Sequence, residues 1–203
     1  MKEQIAIVTD SACDLSREYI NQHDIFVLPL RLIYPEGEYR CGLDISSDEV
    51  LRRMPHEIPS TSQPGPDDID AVFDQMRARG IHHAVFVMIS SGLSGTFNMA
   101  RMYCQEHHDI EVELFDSKYL SMGLGYFVMK AVELRDGGLE FGKYASALEA
   151  YRPQVKGYFY VPTLDYLIKG GRIGLVAGTV GKLLNIKPII SCNDEGKYYT
   201  LTK

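Results

Sequence analysis

The sequence predicts an α/β protein whose first 152 residues form an N-terminal domain with a mostly parallel sheet and flanking helices. Two observations carry that prediction. Ile5-Ala6-Ile7-Val8-Thr9 and Ala84-Val85-Phe86-Val87-Met88-Ile89 are apolar at successive rather than alternate positions, as strands covered on both faces are. Such runs also alternate with stretches of helical periodicity at the spacing of βαβ units.

Taken in order, the first strand ends in the polar run Asp10-Ser11-Ala12-Cys13-Asp14, where Asp14 is placed to cap a short helix through Ile20. Residues 25–34 are apolar but broken by Pro29, which predicts a bent or edge strand. Ser46 with Glu49 three residues on is a capping box, opening a helix that Pro55 stops after Met54. The best-marked helix has Pro66 at its first position, then Asp67 and Asp68 beside the positive end of its dipole. Ile69, Val72, Phe73 and Met76 stripe one face, and Gly80 ends it. After the strand at 84–89 come a Ser/Gly-rich turn and a helix from Gly95 to Gln105, then a strand over 110–115. Leu124, Phe127, Val128, Ala131 and Val132 stripe one helix; Phe141, Tyr144, Ala145, Leu148 and Tyr151 stripe the next.

From about Tyr151 the pattern changes, and residues 153–203 read as the start of a C-terminal α/β domain that is unfinished at Lys203. A strand over 156–161, a short helix over 164–168 and a Gly-rich turn over 169–174 are expected there. A helix near 176–184 and a hairpin of 187–191 with 197–202 complete it.

Composition narrows the function classes. Asp and Glu number 27 against 21 Lys and Arg, a net charge of −6, the wrong sign for a nucleic-acid binder. No apolar run approaches the roughly 18 residues a membrane span needs. The polar start Met1-Lys2-Glu3-Gln4 does not resemble a secretory signal, so the cytoplasm is the expected location. Cys13, Cys41, Cys104 and Cys192 show no C-x-x-C pairing and are expected to be free thiols. His82-His83 and His107-His108 are expected on exposed connectors, and no H-x-x-x-H spacing offers a metal site.

Four polar motifs stand at element ends, where α/β proteins place their sites. Asp10, in the first, lacks the second Asp two residues on that a phosphatase loop needs, so a turn and cap is the better reading. In Pro59-Ser60-Thr61-Ser62-Gln63-Pro64-Gly65, two prolines stiffen a loop bearing three hydroxyls and an amide. Such donors suit a carboxylate or phosphate because little entropy is lost on binding. In Ser90-Ser91-Gly92-Leu93-Ser94-Gly95-Thr96, Ser94 lies near a helix start whose N–H groups favour anions, and Gly95 allows close approach. The spacing is not that of a hydrolase elbow, since Thr96 stands where the second Gly belongs. Gly170-Gly171-Arg172 offers an arginine as an anion clamp or docking residue. Neither the Walker nor the dinucleotide-binding glycine pattern is present. Two hydroxyl-rich cradles beside abundant apolar surface point to a ligand with an acidic head and a greasy body.

Val8-Thr9-Asp10-Ser11 with Asp14-Leu15, the Ser60–Pro64 and Ser90–Thr96 motifs, Lys169-Gly170-Gly171-Arg172-Ile173 and Leu184-Asn185-Ile186-Lys187-Pro188-Ile189 occur in this order. Together they resemble the DegV family of bacterial fatty-acid-binding proteins. The resemblance implies two α/β domains enclosing a long-chain fatty acid, with no cofactor or catalytic residue, and a fatty-acid kinase as partner to which some members present the carboxylate. It implies Thr61, Ser94 and Gly95 as carboxylate contacts, Ser62 as a weaker one, and Arg172 at the tunnel edge or partner face. The alternatives are a hydrolase or phosphotransferase using Asp10 or Ser94, and a sensor of apolar ligands without a metabolic handoff.

Overall fold

The computed structural model describes residues 4–176 and 187–202. β1 (Ile5–Asp10) passes through a 3-10 turn at Ser11–Cys13 to α1 (Arg17–Gln22) and β2 (Ile25–Leu28). β3 (Arg31–Tyr34), β4 (Gly37–Arg40), α2 (Ser47–Arg53) and β5 (Ser60–Ser62) follow. Then come α3 (Pro66–Ala78), β6 (His83–Met88), α4 (Thr96–Glu106), β7 (Glu111–Asp116), α5 (Ser121–Asp136) and α6 (Tyr144–Tyr151). The last described elements are β8 (Phe159–Tyr160), α7 (Asp165–Lys169), β9 (Ile189–Cys192) and β10 (Tyr198–Thr202). The helix expected near 176–184 falls outside the described residues, apart from Val176, which closes a 3-10 turn.

β2, β1, β6 and β7 lie side by side in that order, all parallel. The sheet is covered on both faces, which is why its strands are apolar throughout. Ile5, Ile7, Val85 and Val87 pack with Leu124, Phe127, Val128 and Ala131 of α5 and with Tyr144 and Leu148 of α6. Ala6, Val8, Ala84, Phe86 and Met88 face Ile69, Phe73 and Met76 of α3 and Met99 and Ala100 of α4. Fully burying each of the larger side chains contributes about 1.5–3 kcal/mol.

The later segment joins this core: Val155, Ile190, Cys192 and Tyr198 belong to the same apolar cluster as Val85 and Leu124. Arg152 pins the junction by donating to the carbonyls of Ser117 (2.6 Å) and Asp116 (2.9 Å) while lying over the Phe115 and Phe127 rings. β9 pairs antiparallel with β10, as the hairpin reading expected, and also with the short β8.

The structure revises several local expectations. The segment 25–34 is two strands in two sheets: Pro29 parts β2 from β3, and β3 pairs antiparallel with β4 and β5. Asp14 does not cap α1, because it adopts a left-handed φ of 51° closing the preceding 3-10 turn. Ser16 caps instead, accepting from the Tyr19 N–H at 3.1 Å. The strand expected over 156–161 shrinks to two residues. Two of the histidines expected on exposed connectors are partly buried: His107 stacks on Phe73 at 4.4 Å beside Asp70, and His83 lies 4.4 Å from Phe141.

Candidate functional site

The chain leaves β1 on one side toward β2 and later returns on the other as β6. A crevice at the carboxyl ends of strands where the order reverses is the usual ligand position in such sheets. Asp10 ties the two strand ends together there. Its carboxylate accepts from the Ile89 N–H at 2.7 Å and the Ala12 N–H at 3.0 Å, and the side chain is fully buried. Burial pushes its pKa up to about 6 against the lowering effect of those two bonds. With both oxygens engaged away from solvent, Asp10 has the geometry of a structural turn residue rather than a nucleophile.

The Ser90–Thr96 turn rises from the end of β6. The Ser90 N–H donates to the Tyr119 carbonyl at 2.8 Å, while its hydroxyl donates to the Gly196 carbonyl at 2.8 Å and accepts from the Gly92 N–H at 3.1 Å. The turn is thereby clamped to the hairpin between β9 and β10. Asp116 steadies its other side, accepting from the Ser91 N–H at 3.1 Å and pairing with Lys118 at 2.8 Å. Ser94 immediately precedes Gly95, the N-cap of α4; its hydroxyl is 2.8 Å from that of the buried Thr96 and accepts from the Thr96 N–H at 3.3 Å.

The Ser60–Pro64 motif is held from below. Expected as a loop, it contains the short strand β5, with Thr61 opposite Leu32 and Ser62 opposite Arg31 of β3. The Arg31 guanidinium donates twice to the buried Asp68 carboxylate (2.6 and 2.9 Å), which also accepts from the Gly65 N–H at 2.8 Å. Pro64 is buried, whereas Thr61, Ser62 and Gln63 are exposed. Gln63 reaches across to the other motif: its Oε1 lies 2.7 Å from where a Cβ on Gly95 would stand. Gly95 has ordinary helical dihedrals, so the close approach, not the backbone conformation, calls for glycine.

Thr61, Ser62, Ser94, Gly95 and Arg172, singled out separately in the sequence, line one cleft of about 540 Å³, a volume typical of small-ligand sites. Arg172 is exposed at its edge and donates to the carbonyls of Leu93 (3.2 Å) and Gly170. Leu30, Ile89, Leu93, Leu120 and Leu167 supply apolar wall, joined by Tyr166 and Tyr198. Among the described residues of that lining, Arg172 carries the one formal charge and no imidazole stands beside Ser94. Tyr198 and the bridge from Gln63 to Gly95 were not predicted; one sits on a strand without motif, the other is a contact between distant segments. A separate cleft of about 520 Å³ is lined by Cys13, Cys41, Leu15 and Leu43. Among the described residues, no cluster of metal-ligating side chains occurs and no helix is long and apolar enough to cross a membrane.

Hydroxyls, an amide and a single guanidinium over an aliphatic wall can hold an anionic head while its apolar body is removed from water. Residues 4–203 match the family described as "Uncharacterised protein, DegV family". A DegV domain-containing protein of Clostridium acetobutylicum is 43% identical over 201 residues, covering 99% of this chain and 72% of the relative. The solved DegV of Bacillus subtilis, described as a fatty acid binding protein, has a TM-score of 0.90 at 29% identity over 99% of this chain and 72% of that one. A stearic acid-binding protein from Eubacterium ventriosum has a TM-score of 0.87 at 34% identity, over 97% of this chain and 69% of its own. The chain belongs to the DegV family.

Proposed function

We propose that this protein binds a long-chain fatty acid, its carboxylate in the cleft on the Thr61 and Ser94 hydroxyls, the Gly95 N–H and Arg172, with Ser62 a weaker contact. The convergence of the three polar motifs, from segments far apart in the chain, onto one singly charged cleft with an aliphatic wall carries this reading. The similar structures described as fatty acid binding and stearic acid-binding support it. In the finer form of the proposal, residues 1–152 and 153–203 belong to two domains that enclose the acyl tail. The protein then works in the cytoplasm as a carrier, presenting its ligand to a separate kinase. The exposure of Thr61, Ser62, Gly95 and Arg172 supports that form, because a partner's active site could reach a head group held there.

Organic extraction of the purified protein followed by mass spectrometry tests the ligand class, and a calorimetric titration with stearic acid tests the site. Near one acid per chain is expected. Thr61→Ala or Ser94→Ala should each weaken binding by about 1–3 kcal/mol, the cost of a charge-assisted hydrogen bond left unmade. Wild-type affinity in the double variant would place the head group elsewhere.

A further inference from the structure

Gln63 follows Ser62, the last residue of β5, and its Oε1 stands 2.7 Å from where a Cβ on Gly95 would be. The room a side chain would take at position 95 is thus taken by the far end of Gln63. One side chain spans the cleft from the Ser60–Pro64 motif to the Ser90–Thr96 motif. Both anchors of this span are stiff. On one side Ser62 is paired with Arg31 of β3, Pro64 is buried, and the Asp68 carboxylate holds the Gly65 N–H at 2.8 Å. On the other, the Leu93 and Ser94 N–H groups both donate to the Ser90 carbonyl at 3.0 Å, and the Gly95 carbonyl accepts from the Met99 N–H at 2.9 Å as α4 begins. The long, exposed side chain of Gln63 is the part of the bridge that can move.

We propose that Gln63 is a latch across the head-group cleft: it swings out to let a carboxylate reach Ser94 and the Gly95 N–H, and closes again over the bound head. This rests on the fatty-acid reading and adds control of entry and exit to it. A head group held by Thr61, Ser94 and Gly95 joins the same two motifs that the Gln63 side chain joins in this structure, so the side chain has to give way as the ligand enters. Association is slowed when binding has to wait for a conformational change, and closure over the ligand slows its release in turn. Gly95 is the complement of the latch, because a Cβ there would hold the amide off.

Stopped-flow mixing with the fluorescent long-chain acid cis-parinaric acid tests the assignment on wild type, Gln63→Ala and Gln63→Asn. Asn keeps the amide but retracts it by about 1.5 Å, one carbon–carbon bond, and so separates reach from chemistry. Because the side chain is exposed, both variants are expected to melt with wild type. Both should raise the association and dissociation rates about ten-fold each, leaving the dissociation constant within about three-fold of wild type. A rise in one rate alone would make Gln63 a plain contact or a plain obstruction, and unchanged rates would take it off the path. Wild-type rates in Gln63→Asn would mean that the span to Gly95 is immaterial; each of these results overturns the proposal. Failure of wild type to bind the acid at all would instead overturn the fatty-acid reading on which it stands.

Discussion

Replacing Gly92 by alanine would put a methyl carbon 2.6 Å from the Glu195 carbonyl oxygen and 2.9 Å from the Gly196 carbonyl carbon and oxygen. These are backbone atoms of the hairpin turn, which cannot swing aside as a side chain would. Overpacking of this kind costs about 1–3 kcal/mol. Parting the two turns also breaks the Ser90–Gly196 hydrogen bond, adding about 1 kcal/mol. Together these lower the melting temperature by on the order of 10 °C for a domain of this size. Gly95→Ala is the control: its methyl would lie 2.7 Å from Gln63 Oε1, the far end of a flexible, exposed side chain. That variant should melt close to wild type yet bind stearic acid more weakly, because the displaced amide and the new methyl group both crowd the cleft. Thermal melts by circular dichroism paired with calorimetric titrations separate the two effects. A Gly92→Ala protein with an unchanged melt would refute the clamping of the turn to the hairpin.

Three other outcomes follow from the geometry. Asp10 has its pKa raised from 3.8 to about 6, so its contribution to stability is full below the unfolded value and is lost as pH rises through about 6. Comparing urea unfolding of wild type and Asp10→Asn, the stability difference should shift against wild type by about 2.5 kcal/mol between pH 4 and pH 7.5; a pH-independent difference contradicts that burial. Arg31→Met strands the buried Asp68 carboxylate and should cost about 3 kcal/mol in the same unfolding assay, whereas a neutral result would mean that the pair does not hold β5 and α3. Burial pushes the thiols of Cys13, Cys104 and Cys192 up to about 11, 12 and 12 and that of Cys41 upward. The buried Cys13 and Cys192 should react with a thiol reagent only in denaturant, and fast labelling of either in the folded chain would contradict this.

Elements whose signal is local could be read from the sequence. The unbroken apolar runs of β1 and β6 announce burial on both faces, and Pro66, Asp67, Asp68 and Gly80 bound α3 closely. Elements held mainly by their partners could not. Gly37–Arg40 and Ser60–Ser62 are polar and largely exposed, so nothing in their own residues distinguishes strand from loop; pairing with β3 makes them strands. Asp14 and Ser16 are both good cap residues, and the left-handed turn at Asp14 decides between them. The cleft shows the same division. Its hydroxyl and glycine motifs stand out in the sequence, whereas their convergence depends on contacts between residues far apart, such as Gln63 against Gly95 and Arg172 with Leu93. Tyr198 carries no motif at all and becomes visible only as part of the cleft lining.

The most direct test of the proposed site is a crystal structure of the protein with stearic acid. A carboxylate oxygen is expected about 3 Å from both Thr61 Oγ1 and Ser94 Oγ, with the acyl chain running inward past Ile89 and Leu120. A head group in the separate cleft lined by Cys13 and Cys41, or an acid bound the other way round with its tail at Thr61, would contradict it.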